Sequence, residues 1–204
     1  MFNTRSAIEA FSGSKWNLPS PQEFEDQIRD HWSHWLDIIL PEQNDFYPFL
    51  IYLRHHGYPS PLLDWTASPY VADFFAFDAM PHDANQVCIY VAVRGPGAGS
   101  NDEHCFFVGP NVRTHRRHFL QQCWYSMCVG NKNDGVGYRF RPQETAMRKD
   151  FGPLRKLLKC TIPASERETA LVHLNSMNIN AFSLFGSEDS MVKAIARREF
   201  DYRT

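Results

Sequence analysis

Between residues 55 and 68 the chain gathers side chains able to bind anions or move protons. His55 and His56 are adjacent, and Asp64, Thr66 and Ser68 alternate a few residues later. Alternate residues of an extended strand share a face, so a strand reaching residue 68 would present a carboxylate and two hydroxyls on one side. Imidazoles titrate near neutral pH, and two of them at the end of a preceding helix can contact phosphate or serve as a base. A second group follows downstream: Arg113, His115, Arg116, Arg117 and His118 without an acid among them, then Gln121, Gln122, Trp124 and Tyr125. Cations followed by aromatic rings suit phosphate contact and base stacking. A solvated helix face gives the same pattern. Trp65 and Trp124 are flat rings able to stack on a ligand, and core positions account for them as well.

Other chemistries lack their patterns. His31 with His34, His104 with Cys105, and Cys123 with Cys128 have neither zinc-finger nor His-Glu-x-x-His spacing, so no metal is expected. There is no Gly-x-Ser-x-Gly elbow, P-loop or Rossmann glycine pattern; Gly95-Pro96-Gly97 is interrupted by proline.

The elements that must position these residues can be read from caps and periodicity. Ser20-Pro21-Gln22-Glu23 is a capping-box start. Phe24, Ile28, Trp32, Trp35 and Ile39 then form a helical stripe that ends before Pro41. A second helix is predicted from near Pro48 to Gly57, with His55 and His56 in its last turn. Residues 62–66 read as a short buried strand. Ser68-Pro69 starts another helix with Val71, Ala72, Phe75 and Ala76 inside, which makes Ser68 a helix cap as well as a site candidate. Residues 87–93 are apolar on both faces, as in a central strand. A turn-rich loop at 95–100, a helix at 116–122 and a polar loop at 130–137 follow. Leu158, Cys160 and Ile162 alternate as a strand with one face inward. Ser165 and Glu168 form a second capping box before Leu171 and Leu174. Ser187 caps a last helix, with Glu188 and Asp189 in its first turn and Arg197 and Arg198 in its last. The order predicts one α+β domain over residues 1–204, a mixed β-sheet with flanking helices.

Composition bounds the function. With 204 residues, 43% hydrophobic and 22% charged, the chain is globular rather than disordered. A net charge of −2 gives no global attraction to nucleic acid or anionic lipid. Apolar runs such as 49–53 and 88–93 are far too short to span a membrane. Five cysteines without a Cys-x-x-Cys pair argue against a disulfide scaffold, and polar residues near the start argue against a signal peptide, so a cytoplasmic protein is expected.

The run His55-His56-Gly57-Tyr58-Pro59-Ser60-Pro61-Leu62-Leu63-Asp64-Trp65-Thr66-Ala67-Ser68-Pro69 resembles the signature of the FRG domain family. That signature is roughly His-His-Gly-x-Pro-Thr-Arg-Leu-Leu-Asp-x-Thr-x-x-Pro, followed by a helix ending Ala-x-x-Phe-Ala, here Ala72-Asp73-Phe74-Phe75-Ala76. Arg116-Arg117, Gln121-Gln122 and Trp124-Tyr125 are similar to a second family segment, and residues 158–164 and 178–186 to a third. The resemblance spans about residues 45–200, preceded by a helical segment at 1–44. Two features depart from the family: no Phe-x-Arg-Gly strand is found upstream, and Ser60-Pro61 replaces the usual Thr-Arg. A Thr- or Ser-bearing strand before such a helix is also similar to the second block of ADP-ribosyltransferases. Their first block is an Arg or His on a strand, and their third usually carries a glutamate, where Gln121 or Gln122 stands here.

The resemblance implies an ADP-ribosyltransferase-like core, NAD as candidate substrate, and an effector role in bacterial conflict or defence. It implies His56, Asp64 and Gln121 as catalytic residues, with His55, Trp65, Thr66, Ser68, Arg116, Arg117, Gln122 and Tyr125 binding the ligand. The alternative is a non-catalytic module binding nucleic acid or protein. No membrane partner is expected.

Overall fold

The computed structural model describes residues 4–30, 45–93, 103–109, 116–131, 138–143 and 156–201. Helices α1 (Arg5–Ser12), α2 (Pro21–Asp30) and α3 (Phe46–His55) come first. The Ser20–Glu23 capping box forms as expected: Glu23 N–H donates to Ser20 Oγ at 3.1 Å, and Ser20 N–H to Glu23 Oε2 at 2.7 Å. The stripe residues Trp32, Trp35 and Ile39 lie outside the described residues. Helix α3 tolerates Pro48 because its first turn has no intrahelical acceptors to lose. Every residue from Phe46 to Ile51, and Leu53, is buried, the mark of a helix packed on all sides. At its end Gly57 takes φ +77, where any side chain would be strained.

Strand β1 (Leu62–Thr66) pairs antiparallel with β4 (Cys123–Asn131), which also pairs with β3 (Glu103–Val108) and β5 (Tyr138–Phe140). β4 is thus the spine of the first sheet, and its segment from Tyr125 to Gly130 is buried. Tyr125, Met127 and Val129 meet Phe46, Tyr47, Phe49 and Leu50 in the first core. Burial of each such side chain contributes about 1.5–3 kcal/mol, so α3 and β4 hold this half together.

The second sheet pairs β2 (Gln86–Val93) with β6 (Lys156–Pro163) over their whole length. Helices α4 (Pro69–Asp78), α6 (Arg167–Ser176), α7 (Ala181–Phe185) and α8 (Glu188–Phe200) build the second core around Phe74, Phe77, Val87, Leu171, Leu174 and Leu184. A short helix, α5 (Arg116–Leu120), leads into β4.

The α+β class holds, with corrections in detail. All described strand pairs are antiparallel, in two sheets rather than one mixed sheet. β2 pairs only with β6 among the described residues, so it is not central; Val87 is buried while Tyr90, Val91 and Val93 are exposed. In β6, Leu158 and Cys160 face solvent and only Ile162 reaches the core. Ser165 caps nothing: residues Ala164–Glu166 form a 3-10 turn that runs into α6 without a side-chain cap. Ser187 does cap α8, in a reciprocal box with Ser190, and the same device joins Asn180 and Ser183 at α7. The loop at 95–100 lies outside the described residues.

Candidate functional site

A cleft of about 820 Å³ opens between the two sheets. β1 contributes Asp64, Trp65 and Thr66, the end of α3 gives Arg54 and His55, and β2 gives Cys88 and Tyr90. α4 turns Ala72, Phe75 and Ala76 toward it, one helical face at spacings of three and one, while Val71, Phe74 and Phe77 fill the second core. The expected inner face of this helix is therefore divided between core and cleft.

Asp64 is the single carboxylate among the described cleft-lining residues. Its Oδ2 accepts from Arg54 Nε at 2.8 Å, and both side chains are over a third exposed. Such a pair is worth at most about 1 kcal/mol, so either partner can turn to a ligand at little cost. Arg117 lines the cleft beside Phe185, its guanidinium 5.4 Å from the ring centre. Two arginines against one aspartate leave the cleft with one net positive charge when its histidine is neutral.

Thr66 and Gln121 tie the walls together. Thr66 Oγ1 donates to the Gln121 carbonyl at 2.8 Å and accepts from Ser68 N–H at 3.1 Å. Gln121 is buried; its Nε2 donates to the Leu184 carbonyl at 3.1 Å and its Oε1 accepts from Cys123 Sγ at 3.7 Å. Both ends of this amide serve the fold, which removes it from the catalytic trio as a group poised for a ligand. Trp65 Nε1 donates to Ser126 Oγ at 2.7 Å, which fixes the indole against the sheet, and its ring packs tilted on Phe107.

Beneath these lies a buried polar bridge. Tyr125 Oη is 2.9 Å from His55 Nε2 and 3.0 Å from His118 Nδ1. A phenol has one hydrogen, so it donates to one ring and accepts from an N–H of the other. Burial raises the Tyr125 phenol far above its ordinary range and pushes the Cys123 thiol up to about 11, so both are protonated at neutral pH. The His118 ring stacks on Tyr125 at 11°.

Six expected site residues are placed elsewhere. His56 ends α3, is exposed, and packs its ring on Tyr52 at 4.4 Å rather than reaching the cleft, because the helix turns it away from His55. Ser68 is the N-cap of α4, accepting from Val71 N–H at 3.3 Å, since β1 stops at Thr66. Arg116 is exposed and is not among the cleft-lining residues. Gln122 faces solvent with φ +49, the turn that carries the chain from α5 into β4. Tyr125 lies under the cleft as a hydrogen-bonding floor instead of stacking on a ligand. Trp124 is half-buried against Gly109, where an added Cβ would come within 2.5 Å of the indole. Arg113, Thr114 and His115 lie outside the described residues.

The structure brings together His55, Asp64, Trp65, Thr66, Arg117 and Gln121. Arg54, Tyr90, Cys123 and Phe185 join them, unanticipated from sequence. The adjacency of Arg54 to His55 was the available signal; Phe185 had none, since its approach depends on packing 119 residues beyond Thr66.

No helix among the described residues is long and apolar enough to cross a membrane. No curated protein and no solved structure matches the chain. A family model does match, over residues 3–85, which takes in α1 to α4 and the whole His55–Pro69 run. The match begins well upstream of residue 45 and leaves α5, β4 and the second core's later helices beyond its end. The matching model is that of the FRG domain, and the His55–Pro69 run lies inside the matched residues 3–85.

Proposed function

We propose that the cleft binds a nucleotide diphosphate, NAD in the first instance, and that the chain acts on it as an ADP-ribosyltransferase-like enzyme. The observation that carries this reading is the placement of Arg54 and Arg117 on the same cleft as the carboxylate of Asp64. Its volume lies within the roughly 300–1,000 Å³ of small-molecule sites. Guanidinium forks suit a diphosphate, and Trp65 and Tyr90 offer flat faces to a base or nicotinamide ring.

The reaction breaks the bond between ribose C1′ and nicotinamide, which departs with the bonding electrons. Positive charge builds on the ribose, as in glycoside hydrolysis. Asp64 is the group that can face that charge and accept from ribose hydroxyls, whereas the Gln121 amide is engaged and neutral. An acceptor then bonds to C1′ and loses its proton, for which the His55 imidazole is the candidate base. Thr66 orders the wall. The cytoplasmic setting and the role in bacterial conflict or defence belong to this proposal too, on the resemblance alone. The alternative nucleic-acid module is weaker, because Arg117 turns into the cleft and His118 into the core, which breaks the basic row.

The test combines thermal unfolding with a nicotinamide-release assay in millimolar NAD. Binding to the folded state stabilises it by about 2.7 kcal/mol at a hundred times the dissociation constant. Asp64→Asn should keep most of that stabilisation and slow release by about 100-fold or more. The absence of both a rise in Tm and nicotinamide release in the wild-type chain would set the reading aside.

A further inference from the structure

Three side chains with metal-binding atoms meet at the base of the cleft from three separate elements. His55 closes α3, His118 lies in α5 and Cys123 opens β4. One donor atom of each lies within 4.8 Å of those of the other two. His118 and Cys123 are buried, and His55 and Cys123 reach the cleft wall. No linear spacing reveals the grouping, since 63 residues separate the two histidines and the fold alone joins them.

We propose that His55, His118 and Cys123 bind a borderline divalent cation of the Zn²⁺ class, with one coordination position open to the cleft. Two imidazoles and a thiolate are a donor set for Zn²⁺ or Co²⁺ and a poor one for Mg²⁺ or Ca²⁺, which take oxygen ligands. Metal–ligand bonds of about 2.0–2.3 Å put tetrahedral donors roughly 3.3–3.8 Å apart, so closing the site asks for side-chain movements of about 1 Å. The Tyr125 hydroxyl now lies between one nitrogen of each imidazole, so a cation held there takes the place of that hydrogen-bonded bridge, and Cys123, whose thiol donates to Gln121 Oε1, releases its proton to become the thiolate ligand. Three protein ligands leave a fourth position, which His55 and Cys123 place beside the cleft for water or a ligand oxygen. The cation should bind whether or not NAD does; with it in place His55 is a metal ligand and no longer the candidate base.

The full chain, stripped with chelator and titrated with Co²⁺, tests it. The expected result is uptake of one equivalent with a thiolate-to-cobalt band in the near ultraviolet and strong four-coordinate bands in the visible, both bleached by Zn²⁺. Cys123→Ser should lose the near-ultraviolet band, while Cys88→Ser and Cys160→Ser keep it. His55→Gln, at the cleft edge, is the second variant should Cys123→Ser fail to fold. It should weaken uptake at least by the roughly 10–100-fold that losing a mere outer group costs. A wild-type chain that takes up no Co²⁺, a band that survives Cys123→Ser, or unchanged affinity in His55→Gln would overturn the assignment.

Discussion

Replacing Tyr125 by phenylalanine removes one oxygen atom from the centre of the protein and nothing else. The ring would keep its edge-on contact with Tyr47, 6.1 Å between centres, and its stack on His118. What is lost is the bridge between His55 and His118. The two ends differ in cost. His55 borders the cleft, where water can replace the phenol, so its share is the ordinary net worth of a hydrogen bond, about 0.5–1.5 kcal/mol. The His118 ring is fully buried, and its Nδ1 would lose the phenol with no solvent to take its place, a cost of about 1–3 kcal/mol. The sum is roughly 2–4 kcal/mol, a large part of the about 5–15 kcal/mol that holds a typical domain together. Urea unfolding of both proteins would measure it as a lower midpoint at unchanged slope. Tyr47→Phe is the internal control: its hydroxyl donates to the Val108 carbonyl at a long 3.4 Å, so about 1 kcal/mol or less is expected. If Tyr125→Phe costs no more than Tyr47→Phe, the bridge does not position His55 and the reasoning fails.

Three further outcomes follow from the same structure. Ser187→Ala removes the α8 cap and should cost about 1 kcal/mol, seen as a lower Tm, with Ser187→Gly recovering part of the loss. Asp78 pairs with Lys193 and Arg197 and so ties α4 to α8; with Asp78 and Arg197 largely sheltered, Asp78→Asn should destabilise by about 1–3 kcal/mol in urea unfolding, a loss that added salt does not mimic. Glu9 has its folded pKa lowered, first by the Trp16 N–H it accepts and then by Arg5, so its contribution is present above pH 4.5 and is lost as pH falls through the folded value. The stability difference between wild type and Glu9→Gln should therefore shrink to nothing in acid, and a difference that grew on acidification would contradict the sign.

Much of the fold was legible because its local devices are chemically explicit. The Ser20 and Ser187 caps, the stop at Gly57 and the strand at 62–66 lie where serine, proline and glycine chemistry puts them. Strand β4 was not anticipated, although it organises the first sheet, because Cys123–Asn131 neither alternates nor carries a turn signal at its start. Its residues are buried by β1, β3 and α3 together, a tertiary circumstance. The exposed apolar residues of β2 misled for the opposite reason: hydrophobicity there does not report centrality in a two-stranded sheet. The site was half legible. Asp64, Trp65, Thr66 and His55 follow from one short run, but strand alternation does not extend to Ser68, and helical rotation separates His56 from His55. Sequence position alone points to Gln121, and only packing reveals that Leu184 and Cys123 already occupy its amide.

The central claim is that the cleft is a nucleotide site gripped by Arg54 and Arg117. Calorimetric titration of NAD into the wild-type chain, Arg54→Gln and Arg117→Gln tests it most directly. The account predicts one saturable site in the wild type and binding about tenfold weaker or more in each variant, the loss of a charged hydrogen bond worth about 1.5–3 kcal/mol. An absence of heat in the wild type, or equal affinity in all three proteins, would contradict it.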